Sequence, residues 1–100
     1  MPNAHRNTDS RFCGASTIVV GQNSVKVNGL LWAVEGDYDD HCDEGSLIPT
    51  YGAKNVYING KLVICAVGDS ATSDREGCEI LHPAGTTDPS SGSPDVFVYG

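Results

Sequence analysis

The chain has 100 residues, of which 39% are apolar and 19% are charged, and this size and composition suit a single small domain. A net charge of −7 argues against a nucleic-acid partner or an anionic lipid surface, because both need a basic face. No apolar run approaches the roughly 18 residues of a membrane span, and the N-terminus has no apolar signal region, so we expect a protein that is made in the cytosol and stays soluble.

The stretch of residues 55–69 predicts a β-hairpin. Val56 and Ile58 alternate with Tyr57 and the following Asn, which is the period of a half-buried strand. The dipeptide Asn59-Gly60 predicts a type I′ turn, because both central residues of that turn have a positive φ. The apolar run that follows the turn predicts the return strand.

The first strand and turn of this hairpin belong to a repeated pattern. The motif G-x-x-x-V-x-[V/I]-x-G occurs three times without a gap, in residues 21–29, 52–60 and 92–100. Three ungapped copies in so short a chain indicate an internal repeat. Alternation along a strand places the two β-branched positions of each copy on one face. These positions are Val25, Val27, Val56, Ile58, Val96 and Val98, and the side chains that face the other way are Lys26, Tyr57 and Phe97.

The third copy stops at Gly100 without a return strand. The N-terminus carries the missing half, since Asn7-Thr8-Asp9 stands where Gly36-Asp37 and Gly68-Asp69 stand in the other copies. We therefore expect one all-β domain, residues 1–100, in which three β-hairpin units lie around a pseudo-threefold axis and the termini meet. The expected units are about 21–51, 52–91, and 92–100 completed by 1–20.

Two local features depart from the repeat. The second copy is one residue longer between its turn and its Asp, which predicts a β-bulge near Ile64-Cys65. Irregular polar segments follow each Asp and are predicted to be loops, with at most one helical turn at Glu76–Leu81. The loops are residues 10–20, 38–51 and 70–91.

Cys and His residues recur in these loops in register with the repeat. Cys13 follows its Asp by four residues, and His41 follows its Asp by the same step, with Cys42 beside it as an alternative ligand. Cys78 and His82 lie in the third loop. If the loops meet at one end of the domain, Cys13, His41, Cys78 and His82 form a tetrahedral set of two sulfurs and two nitrogens that suits Zn²⁺.

The redox compartment supports the same interpretation. In a reducing cytosol, four Cys are expected to be thiols or metal ligands rather than two disulfides. Cys65 lies in the apolar return strand and is expected in the core, whereas His5 is expected on the surface. Two alternatives stay open: a disulfide-bonded extracellular binding module, and an enzyme with Cys13 or Cys78 as nucleophile and His41 or His82 as base.

These residues resemble the PAAR-repeat family over nearly the whole chain. The Pro-Ala-Ala-Arg tetrapeptide of the family name is absent, since LVIC and LWAV stand at residues 62–65 and 31–34. The resemblance is carried by GAKNVYING (residues 52–60), GSPDVFVYG (residues 92–100), Gly36-Asp37, Gly68-Asp69 and His41-Cys42.

The resemblance implies a small cone with one structural zinc ion near its apex, iron being the less favoured metal. Carried over to this sequence, the apex ligands are Cys13, His41, Cys78 and His82. The resemblance also implies a structural protein rather than an enzyme. Such a protein is a monomer when free, and it caps a trimeric β-helical spike with one copy per trimer. Such a tip sharpens the spike for penetration of a cell envelope. Its expected location is the tail baseplate of a phage virion or, alternatively, a type VI secretion machine that exports it.

Overall fold

The computed structural model describes residues 2–52 and 54–98, and this part of the chain is all-β. Its strands are short, and no described segment forms a helix that is long and apolar enough to cross a membrane. The strands are β1 (Asn3–Ala4), β2 (Thr17–Ile18), β3 (Lys26–Val27), β4 (Leu30–Leu31), β5 (Tyr38–Asp39), β6 (Leu47–Ile48), β7 (Tyr57–Ile58), β8 (Lys61–Leu62), β9 (Cys65–Ala66), β10 (Ser70–Ala71), β11 (Asp74–Glu76) and β12 (Ile80–His82).

Two of the antiparallel pairs are the hairpins that the Asn-Gly dipeptides predict. Strand β3 pairs with β4, and β7 pairs with β8 in the same register. The turn residues Asn28 and Gly29 have φ angles of 54° and 82°, and Asn59 and Gly60 have φ angles of 53° and 77°. Both turns therefore have the positive φ values that a type I′ turn requires.

The N-terminus lies beside the third copy of the motif. Two equivalent backbone hydrogen bonds close the first two copies, from the Trp32 N–H to the Val25 carbonyl (3.0 Å) and from the Val63 N–H to the Val56 carbonyl (3.1 Å). The corresponding bond to Val96 comes from the Ala4 N–H (2.9 Å), in β1. The last residues of the motif, Tyr99 and Gly100, lie outside the described part of the chain.

The three return segments are joined to one another by a cycle of backbone hydrogen bonds. His5, Ala33 and Ile64 are equivalent residues, because each directly follows the donor to the first β-branched position of a copy. The His5 N–H donates to the Ile64 carbonyl (3.0 Å), the Ile64 N–H to the Ala33 carbonyl (2.9 Å), and the Ala33 N–H to the His5 carbonyl (2.9 Å). Each segment thus donates to one neighbour and accepts from the other.

The described core consists of two apolar clusters, and one of them takes one β-branched position from each copy. Val27, Ile58 and Val98 are buried together with Cys65, as expected for that Cys. Val25 and Val56 remain 39% and 41% exposed, and Val96 is half-buried against this cluster, so only the second β-branched position of each copy is buried. Strands β3 and β7 begin one residue after the first β-branched position, so Val25 and Val56 lie just outside the two-residue strands.

Buried aspartates close the turn after each return segment. Asp37 accepts a hydrogen bond from the Val34 N–H (2.8 Å), three residues back, whereas Asp69 accepts one from the Cys65 N–H (2.8 Å), four residues back. The extra residue of the second copy therefore lies in the turn after Cys65, where Val67 has a φ of 55°, and not in a bulge at Ile64-Cys65.

The third loop differs from the expectation of a helical turn at Glu76–Leu81. Strands β11 and β12 form an antiparallel hairpin there, with Asp74 opposite His82 and a turn in which Gly77 and Cys78 have positive φ angles. Positive φ at two successive residues is incompatible with a right-handed helix. The described chain as a whole measures 35 × 24 × 24 Å.

Candidate metal centre

Four side chains from the three loops converge on one point. Cys13, His41, Asp74 and His82 each offer one ligand atom, and these atoms all lie within 4.8 Å of one another. A tetrahedral Zn²⁺ with bonds of about 2.0–2.3 Å places its ligand atoms roughly 3.3–3.8 Å apart. The four donors therefore need to move only slightly to fit one ion.

Local structure explains how each ligand reaches this point. The register of the β11–β12 hairpin places Asp74 directly opposite His82. His41 follows β5, and its backbone N–H donates to the Asp39 carboxylate (2.9 Å) at the end of that strand. Cys13 lies in a tight turn of the first loop, where the Gly14 N–H donates to a carbonyl two residues before Cys13.

Asp74 lies at the centre of the cluster and contacts the other three donors. Its carboxylate oxygens are 2.8 Å from His82 Nδ1, 3.4 Å from His41 Nδ1 and 3.2 Å from the Cys13 sulfur, which donates to it. The Cys13 sulfur is also 3.8 Å from His41 Nδ1. The two imidazole rings lie side by side with centroids 5.1 Å apart.

Cys78 is a correction to the ligand set expected from the sequence. Its sulfur is bonded to Cys42 in a disulfide, so neither Cys is a free thiol in this structure. Cys78 lies in the turn of the β11–β12 hairpin, whereas the cross-strand register brings Asp74 to His82. The expectation that none of the four Cys forms a disulfide also fails for this pair, and Cys13 and Cys65 are free.

Burial sets the protonation of the groups around the cluster. It raises the pKa of the Asp39 carboxyl to about 7, an effect that the nearby Asp74 strengthens. Burial acts in the same direction on Asp74, but hydrogen bonds from Asp39, His82 and Cys13 outweigh it and hold its pKa below the ordinary value. Asp74 is thus the ionised member of the carboxyl pair and the oxygen donor available to a cation.

The Cys13 thiol is protonated in the absence of a cation. Burial raises its pKa to about 11, and the neighbouring Asp74 carboxylate acts in the same direction. A bound metal ion would reverse this balance, because it stabilises the thiolate and releases the proton.

A buried cation lies beneath the cluster and joins the loops. The Arg11 side chain is fully buried, and its Nη1 donates to the carbonyls of Gly45 (2.9 Å) and Thr87 (3.1 Å). The same nitrogen is 3.4 Å from the Asp39 carboxylate. Arg11 comes from the first loop, Gly45 from the second and Thr87 from the third, so this one guanidinium bridges all three segments that carry ligands.

His5 is a second correction, since it is fully buried rather than on the surface. Its Nδ1 donates to the Ser91 carbonyl (2.6 Å), and its Nε2 accepts from the Thr17 hydroxyl (2.6 Å). The Thr17 oxygen in turn accepts from Arg11 Nε (2.6 Å). The sequence shows no signal for this chain of polar contacts, because it depends on the long-range pairing of His5 with Ser91, 86 positions away.

Comparisons with protein-family models, with curated proteins and with solved structures give no match.

Proposed function

We propose that this protein is a structural spike tip, a cone stabilised by one metal ion that caps a trimeric β-helical spike and sharpens it for penetration of a cell envelope. The observation that carries the proposal is the convergence of Cys13, His41, Asp74 and His82 from three different loops. A metal held there would cross-link loops that have little apolar material of their own. Small folds commonly gain their stability in this way.

A pseudo-threefold arrangement is part of the proposal. It is supported by the cyclic hydrogen bonds among His5, Ala33 and Ile64, which pass from each return segment to the next. The two equal short dimensions of 24 Å against a long one of 35 Å are also those of a body elongated along such an axis. A chain with three similar units can sit on the end of a true trimer, one copy for every three spike chains.

The surface of the three motif copies is suited to a protein partner. Tyr57 and Phe97, at equivalent positions of the second and third copies, are 59% and 43% exposed, and Lys26 at the same position of the first copy is exposed as well. Apolar side chains that recur at equivalent positions of short strands are typical of a surface that another β-structure covers. We assign this face to the base of the cone, where the spike would dock.

The donor set favours a structural ion over a catalytic one. One thiolate, two imidazoles and one carboxylate complete a tetrahedral sphere for Zn²⁺ and leave no position for water or substrate. Iron is the alternative metal, because two His and one carboxylate also suit Fe²⁺. A closed site supplies rigidity, which is what a tip pushed against an envelope needs, and for this reason we propose that the protein is not an enzyme.

A disulfide-bonded extracellular binding module is the second candidate, since the Cys42–Cys78 bond is one disulfide. The placement of Cys13 favours the spike tip, because its free thiol lies 3.2 Å from Asp74 within the cluster rather than beside another Cys.

The tip would belong to the tail baseplate of a phage virion or to an exported type VI secretion spike.

Elemental analysis of the purified protein tests the metal. About one equivalent of zinc per chain is expected, and Cys13→Ser or His82→Ala should lose it. Cys65→Ala is the control, because Cys65 is buried in the core and its sulfur contacts Asp69 rather than the cluster. The absence of any transition metal from the parent protein would contradict the proposal.

Co-purification with a trimeric β-helical spike fragment tests the partner. One copy per trimer is expected, and Tyr57→Asp should abolish the complex. Ile80→Asp is the matched control, since Ile80 is equally exposed (61%) but lies on the β11–β12 hairpin beside the metal cluster. A complex that survives Tyr57→Asp and is lost with Ile80→Asp would place the docking face beside the metal cluster and contradict the assignment of the base.

A further inference from the structure

The Cys42–Cys78 disulfide joins the two segments that carry three of the four ligands. Cys42 directly follows His41, and Cys78 lies in the turn between Asp74 and His82. The Cα atoms of the two Cys are 5.0 Å apart. Cys78 is exposed and Cys42 is half-buried, so a small thiol can reach the bond.

At the turns that contain Cys42 and Cys78, the disulfide is the strongest link between these two segments. The Arg75–Glu44 ion pair (2.8 Å) bridges them, but both side chains are substantially exposed, and such pairs contribute little to stability. Two backbone hydrogen bonds also join them, from the Gly45 N–H to the Ser73 carbonyl (3.2 Å) and from the Thr72 N–H to the Ser46 carbonyl (3.0 Å), and β6 pairs with β10 beyond these. These backbone contacts begin three residues after Cys42 and end five residues before Cys78, so they leave the two Cys turns themselves to the disulfide.

The backbone on both sides of the disulfide adopts a conformation that needs support. Cys42 and Asp43 have φ angles of 62° and 51°, and Cys78 has a φ angle of 63°. L-residues other than Gly adopt this left-handed region at a cost, and they remain there where surrounding structure holds them. The covalent bond between the two turns is the contact best placed to do so.

We propose that the Cys42–Cys78 disulfide is a redox-sensitive cross-link that controls metal affinity, holding His41 against Asp74 and His82 when it is intact. The proposal rests on the metal centre proposed above. Neither Cys is a member of the cluster, so cleavage leaves all four donors chemically unchanged and alters only their positions. The oxidised protein has its ligands arranged before the ion arrives, whereas the reduced protein must order two loops on binding.

The reaction that breaks the cross-link needs a dithiol reductant. One thiolate of the dithiol attacks a sulfur of the disulfide and forms a mixed disulfide, and the second thiolate of the dithiol then displaces the protein sulfur. The dithiol loses two electrons and becomes a cyclic disulfide. Cys42 and Cys78 gain the two electrons and take up two protons to become thiols.

Titration of Co²⁺ or Zn²⁺ into the full chain tests the proposal. One sample is oxidised, and the other is reduced with a dithiol that is then removed without air. The dissociation constant of the reduced protein should be about tenfold to a hundredfold larger, the range seen when groups that orient metal ligands are removed. The double variant Cys42→Ser, Cys78→Ser should bind as weakly as the reduced protein and should not respond to dithiol. Cys65→Ala, the control, should respond as the parent does.

The outcomes separate the cross-link from the metal centre. Absence of binding in both samples would contradict the metal centre and the cross-link together. Equal or tighter binding by the reduced protein would contradict the cross-link alone. In that case the Co²⁺ charge-transfer spectrum reports the cause, because a second thiolate band would appear if Cys78 replaced Asp74 as a ligand. Peptide mapping without reduction must also recover the Cys42–Cys78 pair.

Discussion

A buried polar side chain has to find partners for all its hydrogen-bonding groups, and His5 does so within the core of this small domain. Both of its nitrogens are paired, to the Ser91 carbonyl and to the Thr17 hydroxyl. The carbonyl can only accept, so Nδ1 carries the proton and Nε2 accepts from Thr17. This arrangement requires the neutral imidazole, since a second ring proton would leave the Thr17 hydroxyl without its acceptor.

Because His5 is buried in its neutral form, the free energy of unfolding should fall in acid. Burial lowers the pKa of His5 to about 4 from its ordinary value of 6.5. Below the higher value the unfolded chain takes up a proton that the folded protein refuses, so stability falls as the pH falls through this window. From about pH 7 to about pH 4.5 the loss attributable to His5 should be about 2 kcal/mol.

The comparison with His5→Gln isolates this effect. Urea unfolding of the metal-free parent and of metal-free His5→Gln at the two pH values gives their free energies of unfolding. Asp39 acts in the opposite sense, because its raised folded pKa favours the folded state as the pH falls from about 7. That contribution is common to both proteins and cancels in the difference. If His5→Gln loses as much stability in acid as the parent, His5 is not the group responsible.

Removal of the Asp74 charge should lower the metal affinity, whereas removal of the charge of the nearby exposed Asp40 should not. Asp74→Asn keeps the shape of the side chain but removes the charge that lies among Cys13, His41 and His82. Metal affinity should fall by at least about tenfold. Asp40→Asn is the control, because Asp40 is exposed and accepts from the Ser16 N–H rather than facing the cluster. Competition with a chromogenic chelator measures both, and equal affinities would remove Asp74 from the ligand set.

Hairpins are the elements that the sequence predicts best, because their signals are local. Asn28-Gly29 and Asn59-Gly60 demand positive φ within two residues, and both turns form as predicted. The β11–β12 hairpin has no such dipeptide, and its apolar Ile80 and Leu81 are exposed rather than buried. Sequence patterns that rely on burial therefore fail there.

The candidate ligand set shows the same contrast between signals that are local in the sequence and contacts that are long-range. Cys13, His41 and His82 are found from residue type and their position after the repeat. Asp74 is found only from its cross-strand register with His82, which depends on the turn that the third loop adopts. The pairing of Cys78 with Cys42 joins residues 36 positions apart, and no spacing rule in the sequence specifies it.

Substitution of a turn glycine tests whether the hairpins depend on backbone conformation alone. Gly60 has a φ of 77°, and a Cβ added there meets nothing within 4 Å. Gly60→Ala should therefore destabilise the protein by about 1 kcal/mol through backbone strain without a clash. Lys61→Ala, on an exposed position of the same hairpin, should change the free energy of unfolding by less than about 0.5 kcal/mol. Equal effects of the two changes in urea unfolding would contradict this origin.

At the scale of the whole molecule, stability depends on a contact between the two ends of the chain. The Val98 N–H donates to the Pro2 carbonyl (2.9 Å), and Asn3 forms a bridge with Phe97. Strand β1 also pairs with β9, with Ala4 opposite Cys65. The N-terminal segment is thus held by the second and third copies of the repeat, and the Ala33 N–H bonds it to the first copy as well. The incomplete third copy is the sequence feature that predicts this contact, since a lone strand leaves its hydrogen-bonding groups unpaired.

Deletion and circular permutation together test this dependence. A chain that lacks residues 1–6 loses β1, the His5 link of the backbone cycle and the Ala4 bond to Val96. We expect it to lose cooperative unfolding. A circular permutant keeps every one of these residues: a short Gly-Ser linker joins Gly100 to Met1, and new ends are opened at the exposed Ala84.

Because Pro2 and Val98 are already hydrogen-bonded to each other, the permutant should unfold cooperatively, within about 2 kcal/mol of the parent. It should also bind metal with the parent's stoichiometry, since Cys13, His41, Asp74 and His82 keep their loops. Calorimetry measures the cooperativity of unfolding of both variants, and metal titration measures their binding stoichiometry. A deletion variant as cooperative as the parent would show that the first segment is an accessory strand and that two copies of the repeat suffice for the fold. Cooperative unfolding of the permutant alone would show that closure by residues 2–6, and not the order of the chain, holds the three units together.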